Sequence, residues 1–511
     1  MRKDLFFPLL LAAFPAFAQE PADALRFSYT LPSGTARHQA TGGAMGALGG
    51  DYSATFVNPA GLGFYRTNDA VFSPSWRWGD NRGRFFGRDE KASDTRFEIG
   101  AAGVVIGSNG PQQPNRSFAW SLGISQQASF RQELLYRGRN DQSSYSQRFL
   151  EELQRSGIRD STAAFRFPFG SSLALNTFWL DPVRDATGAV TGFSTNSPLT
   201  TGLLQEQYIR QRGGIYEAAL GGGGQVSDNL FIGGTVGIPI LVQRRYSTFT
   251  EADATSDTSN RFDFAEFREA LSTSGIGLNL RLGIIYKPAE SWRLGLAVHT
   301  PTLYTLTESF SYELTTDTEN YEGEWTDKSI DYNDGKKNTF KYRLQTPYRV
   351  VGSIAYVLRE TQDVRRQRGF LSADVEYVHY RSLRYRPYTD EDQTDGADDY
   401  LKEINRAIRD RYRGAFNLRV GGELKFTTLM VRAGAGWQGN PYREGNGGSA
   451  NRLHFSGGLG YRHKGYFIDL TYVHQVHNDI HAPYQLSGAP WPVAETRRTQ
   501  GNVLATFGVK F

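Results

Sequence analysis

The stretch Ile276-Gly277-Leu278-Asn279-Leu280-Arg281-Leu282-Gly283-Ile284-Ile285-Tyr286 decides the fold. Its even positions are all apolar, while its odd positions include Gly277, Asn279, Arg281 and Gly283. A period of two is that of a β-strand, whose successive side chains point to opposite faces. The pattern returns as Phe416, Leu418, Val420, Leu424 and Phe426 against Asn417, Arg419, Glu423 and Lys425. It returns again as Leu429, Val431, Ala433, Ala435 and Trp437 against Arg432, Gly434 and Gly436. Further on, Tyr466, Ile468, Leu470 and Tyr472 oppose Asp469, Thr471 and Gln475, and Val503, Ala505, Phe507, Val509 and Phe511 oppose Thr506, Gly508 and Lys510. One greasy face repeated on strand after strand describes either a soluble sheet with one buried side or the wall of a membrane barrel.

Length and spacing choose between these. Strands of at least about nine residues are needed to cross a bilayer at barrel tilt. Candidates lie near 68–79, 96–108, 116–138, 208–225, 229–250, 275–287, 292–315, 339–358, 369–388, 414–426, 428–438, 453–463, 466–479 and 497–511. These make about fourteen strands, an even number as in bacterial single-chain barrels. Their connections alternate between short ones (109–115, 226–228, 288–291, 427, 464–465) and long ones (80–95, 139–207, 251–274, 316–338, 389–413, 439–452, 480–496). Short turns and both termini are assigned to the periplasm and long loops to the outside; the basic stretch 359–368 is somewhat long for a periplasmic turn. A propeller would carry a repeat of about 40–50 residues, and the sequence shows none. The expected fold is therefore an all-β, transmembrane antiparallel barrel of about fourteen strands.

Composition agrees. Mean hydropathy is −0.48, and beyond the first residues no run approaches the roughly 20 apolar residues of a membrane helix. Aromatics nevertheless reach 13% and glycines number 56, which suits strands with aromatic girdles. The formal charge of +4 is too small for a nucleic-acid footprint in 511 residues. There is no cysteine, which excludes disulfides, thiol catalysis and an N-terminal lipid anchor on cysteine. Residues 1–18 read as a cleaved export leader, with Arg2 and Lys3, the apolar run Leu5–Ala13, and Ala16-Phe17-Ala18 before Gln19.

Residues 19–67 do not alternate. Their core is rich in small residues (Gly42, Gly43, Ala44, Gly46, Ala47, Gly49, Gly50) and closes on Asn58-Pro59-Ala60-Gly61-Leu62. Small residues permit close backbone packing. With the leader, the Asn-Pro-Ala just before the first strand, about fourteen strands and the terminal Phe511, the chain resembles the FadL/TodX-type outer-membrane transporter family, in its Bacteroidetes-like form. That family comprises channels for long-chain fatty acids and aromatic hydrocarbons. The resemblance implies residence in the outer membrane, and export to the barrel-insertion machinery through the terminal aromatic. It also implies a lumenal hatch over 19–67, a barrel over 68–511, ligand capture among the extracellular loops, and release through an opening in the wall. The partners so implied are a hydrophobic small molecule and outer-membrane lipid. Some FadL-like barrels of such bacteria serve protein secretion or surface attachment, which would make secretion proteins the partners instead.

Several groups bear on function. The hatch turn Asn58, Pro59, Ala60 is a gate candidate, or else guides the chain into its first strand. Arg281, Asp374, Glu376, Arg419, Glu423 and Arg432 fall at inward positions. They could bind a ligand carboxylate, but a paired network is favoured because unpaired buried charge is costly. In the loop 139–207, Phe165, Phe167, Phe169, Phe178 and Trp179 are candidate ligand contacts or a small satellite core, and Phe149–Leu153 looks helical. His474, His477 and His481 do not share one strand face, so they are read as a rim cluster rather than a metal site. The acidic run Asp390–Gly396 places its glycine one position late for a calcium loop. No nucleophile and base stand in a recognisable context, so neither catalysis nor a cofactor or metal is expected.

The register makes a sharp prediction. Leu280→Arg should impair folding into lipid vesicles, followed by heat-modifiable migration on gels, far more than Asn279→Arg. A charge facing lipid at midplane costs about 2–4 kcal/mol, whereas one facing the lumen costs much less.

Overall fold

The structure, a computed structural model, describes residues 21–30, 32–110, 113–358, 368–388, 397–443, 450–488 and 491–511. The export leader, most of the basic turn 359–368 and the acidic run Asp390–Gly396 lie outside the described residues.

Fourteen antiparallel strands close into a barrel. They are β1 Asp69–Phe85, β2 Arg88–Gly110, β3 Gln113–Ser129 continued by Gln132–Asn140, β4 Leu203–Ser227, β5 Leu230–Asp253, β6 Phe264–Ala289, and β7 Trp292–His299 continued by Leu303–Asp317. The circuit goes on with β8 Asn338–Gln345 continued by Arg349–Leu358, β9 Gly369–His379, β10 Gly414–Phe426, β11 Leu429–Gln438, β12 Arg452–His463, β13 Tyr466–His481 and β14 Ala494–Lys510. Closure comes from β1 on β14, paired from Asp69–Lys510 to Arg84–Glu495. A closed ladder leaves no strand edge to be satisfied in hydrocarbon.

The expected register holds. Leu280 and Leu282 are 46% and 64% exposed, while Arg281 between them is 7% exposed. Tyr286, Trp292, Tyr356, Phe426, Tyr461, Tyr466 and Phe511 are exposed near the short turns, and Trp76, Tyr246, Phe416, Trp437 and Tyr472 toward the long loops. An outward apolar band bounded by aromatic girdles is the lipid-facing surface of a membrane barrel.

Three expectations need correction. Residues 80–95 are not a loop: β1 and β2 run on to a tight turn at Phe86-Gly87. Likewise the connection read as 139–207 spans only 141–202, and those at 251–274 and 316–338 shrink to 254–263 and 318–337. Above the bilayer both faces of a strand meet water or protein, so the alternation that marks a membrane strand fades although the ladder continues. Four segments read as single strands are also interrupted, at Phe130-Arg131, Thr300–Thr302, Thr346–Tyr348 and Tyr380–Leu383. Two of the breaks contain Pro301 and Pro347, which cannot donate to a ladder.

The described N-terminal residues hydrogen-bond to inward side chains and backbone all around the circuit. Thr55 meets Ser121 on β3, Asn58 the Ile284 carbonyl on β6, Gly46 the Asp374 carboxylate on β9, and Ala36 Thr506 on β14. A short segment can reach so many strands only from within the barrel. It holds an α-helix at Pro21–Arg26 (α1), helical turns at Ala36–Ala40 and Ala54–Val57, and a 3-10 helix at Pro59–Phe64.

Candidate functional site

Across five neighbouring strands the inward row reads Ala119, Gly223, Gly233, Gly283, Ala297. The Asn58-Pro59-Ala60 turn is seated against it. A Cβ built at Gly223 would lie 2.4 Å from the Pro59 oxygen, at Gly233 2.3 Å from the Pro59 carbonyl carbon, and at Gly283 1.9 Å from Asn58 Oδ1. No side chain beyond hydrogen fits there. Asn58 is extended (φ −144°, ψ 101°), as a residue before proline must be, and its Oδ1 accepts from the Ala60 amide at 3.2 Å, capping the 3-10 helix. Its Nδ2 donates to the Gly46 carbonyl at 2.7 Å and to Ile284 of the wall at 3.2 Å. One side chain thereby joins two parts of the segment and the barrel.

A second seat lies on β10 and β11. Gly421 and Gly434 are paired, and Cβ atoms there would fall 2.1 Å from the Thr41 oxygen and the Gly42 nitrogen. Gly42 and Gly43 have φ of +65° and +80°, a left-handed turn that a side chain would strain. Ser456 and His454 tie the same turn to β12, the hydroxyl donating to the Ala40 carbonyl and the ring nitrogen lying 3.0 Å from the Gly42 oxygen.

The inward charges are paired. Arg37 of the segment donates to Glu423 at 3.0 Å, and Arg432 donates to Glu423 and to Asp469, each at 2.6 Å. Arg419 and Arg349 both contact Glu376, which also accepts from Asn417. Asp374 accepts the Gly46 amide at 3.1 Å, and Arg281 pairs with Glu217. All six charges singled out in the sequence thus sit in the lumen, where they hold the segment or one another. Two partners were missed. Glu217 continues the inward series Ile215, Glu217, Ala219 and was legible as such, whereas nothing local marks Arg37 as a buried cation.

The loop aromatics do not converge on a cavity. Trp179 is fully buried, donating from Nε1 to Ser197 Oγ at 2.8 Å within a cluster that includes Tyr145, Phe149, Phe249, Phe267 and Tyr484. Phe167 packs against that cluster, Phe169 against Phe310, and Phe178 against Trp325, while Phe165 is exposed. They build a cap over the barrel mouth, and Phe149–Leu153 lies in its helix Ser146–Ser156. Glu251 pins the cap, accepting from Ser144, Ser197, Gln205 and the Tyr145 amide; burial pushes its carboxyl above the usual range. Of the three histidines, His474 lies 3.1 Å from the Tyr472 hydroxyl and His481 2.8 Å from that of Tyr136, while His477 lines the lumen.

Beneath the cap, two lumenal cavities of about 100 and 210 Å³ lie against the N-terminal segment, and Tyr29 and Pro32 line both. The space between them is filled by the segment itself. Leu25 and Phe27 are buried in an apolar cluster with Phe130, Ile215, Tyr304, Leu306 and Tyr342. Beside it the wall divides. Pairing of β2 with β3 stops at Ala101–Ser125, although β2 stays paired with β1 down to Arg88. After a bulge at Gln126–Ala128, Gln132–Asn140 keeps its ladder with β4 but leans across the inside of the β1–β2 hairpin, where Asn81 donates to the Glu133 carbonyl. Arg77, Asp94, Arg96, Glu98 and Arg498 form an ion-pair network where the two strands separate.

No family model and no curated protein sequence matches the chain. Among solved structures it resembles a FadL homologue of Pseudomonas aeruginosa, with TM-score 0.53 and 14% identity over 95% of this chain and 99% of that one. It also resembles the toluene transporter TodX of P. putida, with TM-score 0.52 and 13% identity over 94% and 99%. The chain therefore has the FadL-type fold.

The first seat can be tested from the wall side. Gly283→Val should displace the Asn58-Pro59 turn and raise single-channel conductance in planar bilayers while the barrel still folds. Gly352→Val, at a position with open space around it, should leave conductance unchanged.

Proposed function

We propose that the protein is a passive outer-membrane channel for hydrophobic small molecules, with residues 19–67 as its hatch. The observation that carries this reading is the apolar site under the cap, occupied by Leu25 and Phe27 of the chain itself. Cavities of about 100 and 210 Å³ fall below the roughly 300–1,000 Å³ of ordinary small-molecule sites. A guest must therefore displace α1, and the residues it would replace are greasy. Arg37, Asn58 and the two glycine seats hold the rest of the hatch until the N-terminal end has exchanged with ligand, and the hatch then lifts off these seats to let the guest pass.

In this account ligand is captured among the extracellular loops, takes the place of Leu25 and Phe27, and leaves sideways where β2 and β3 separate. The toluene channel named among the similar structures makes aromatic hydrocarbons one candidate class, and Phe130, Tyr304 and Tyr342 offer rings for such a guest. Long-chain fatty acids are the other. The loop aromatics contribute a shaped mouth rather than direct contacts, because most of them are committed to one another.

Proteoliposomes carrying the full-length chain should take up toluene or oleate faster than empty vesicles. Deletion of 19–57 should leave a folded barrel with raised single-channel conductance. A correctly folded deletion with unchanged conductance would overturn the hatch. Absence of uptake, together with a stoichiometric secretion protein recovered from native membranes, would favour the secretion role over transport.

A further inference from the structure

The hatch explains only half of the glycines in the run Gly221–Gly224 and the pair Gly233-Gly234. Gly221, Gly223 and Gly233 face inward and meet Leu62 or Pro59. Gly222, Gly224 and Gly234 face the other way. A Cβ at Gly222 would meet the Trp120 ring at 2.9 Å and one at Gly224 the Phe118 ring at 3.0 Å, so the missing side chains let both rings lie across β4. A Cβ at Gly234 would meet only Leu282, at an ordinary 3.5 Å, and the Arg281 carbonyl. Glycine weakens a strand, and nothing inside the barrel requires these three.

What they create is a groove of about 980 Å³ in the outer wall, floored by bare backbone and flanked by Phe118, Trp120, Leu280 and Leu282. The register fixes its shape. Trp120, Gly222, Gly234 and Leu282 form one outward row across β3 to β6, with the glycine pair in the middle. Trp120 and Leu282 are 54% and 64% exposed, so the groove is left uncovered by the described residues. Among the described outward-facing residues of its lining only Arg116, at the end near the short turns, is polar, and the flanks beyond it are apolar.

We propose that this groove is a binding site for one phospholipid of the periplasmic leaflet. The acyl chain lies along the glycine floor between Trp120 and Leu282, and the phosphate meets Arg116 at the interface. The face lies within the lipid-facing band, so lipid is what surrounds it, and a cation at the headgroup end of a greasy trench matches an anionic amphiphile in that orientation. The site rests on the membrane register and not on transport, so it stands or falls separately from the channel reading.

Native mass spectrometry of the full-length protein in mild detergent, titrated with palmitoyl-oleoyl-phosphatidylglycerol, tests the site. Wild type should retain one lipid per barrel through delipidation. Gly234→Leu, which fills the groove from a position with room for a side chain, should weaken that binding about tenfold or more. Arg116→Glu should weaken it as well, and as a surface change it serves if Gly234→Leu does not fold. Gly352→Leu on another part of the wall should not. Equal retention by wild type and Arg116→Glu or Gly234→Leu would overturn the proposal. So would a barrel dimer, with this face buried between copies and no lipid retained.

Discussion

The Pro59 carbonyl occupies the space that a methyl group on Gly223 or Gly233 would fill. Contact this close, backbone on backbone across the inner surface of a barrel, is possible only where the wall has no side chains. It requires the inward row of three glycines between Ala119 and Ala297, and it requires Asn58 to turn the chain there, because proline offers no amide. The rest of the lumen is built around that seat and its counterpart at Gly421 and Gly434. Between them the segment runs from one side of the barrel to the other, and its polar backbone is satisfied by wall groups such as Asp374, His454 and Ser456.

Electrostatics do the complementary work. Burying Glu423 carries a large desolvation cost, which Arg37 and Arg432 offset by pairing with it. Withdrawing Arg37 does not strand the carboxylate, since Arg432 and Lys425 remain beside it. The N-terminal segment thus has a specific anchor whose withdrawal would leave Glu423 still paired, as the proposed hatch role requires. The terminal stretch Pro21–Phe27 is held differently, by apolar contacts that a greasy guest can replace.

Much of the fold was legible because a lipid-facing strand must keep strict period two. Ile276–Tyr286 betrays its register by itself, and so does the terminal strand ending on Phe511. The upper strands were not legible: Asp80 to Arg84 and Arg88 to Lys91 are strand, yet polar or glycine residues stand on both their faces, and such stretches look like loops between strands. Nor could the sequence tell a satellite core from a ligand pocket among Phe165, Phe167, Phe169, Phe178 and Trp179, since both need the same residues; Trp179, fully buried, sides with the core. The turn itself was visible from Asn58-Pro59, but its seat was not. Gly223 and Gly283 matter through partners far away in the chain, and a glycine announces that room is needed without saying for what.

The central claim is that the segment must come off its seat for anything to pass. The chain has no cysteine, so a single engineered pair can lock it. Thr55 of the segment and Ser121 of β3 have hydroxyls 2.8 Å apart, and a Thr55→Cys, Ser121→Cys protein should form a disulfide between hatch and wall on oxidation. The account predicts that uptake of toluene or oleate by proteoliposomes stops when that bond is formed and returns on reduction. Uptake unchanged with the disulfide fully formed would contradict it.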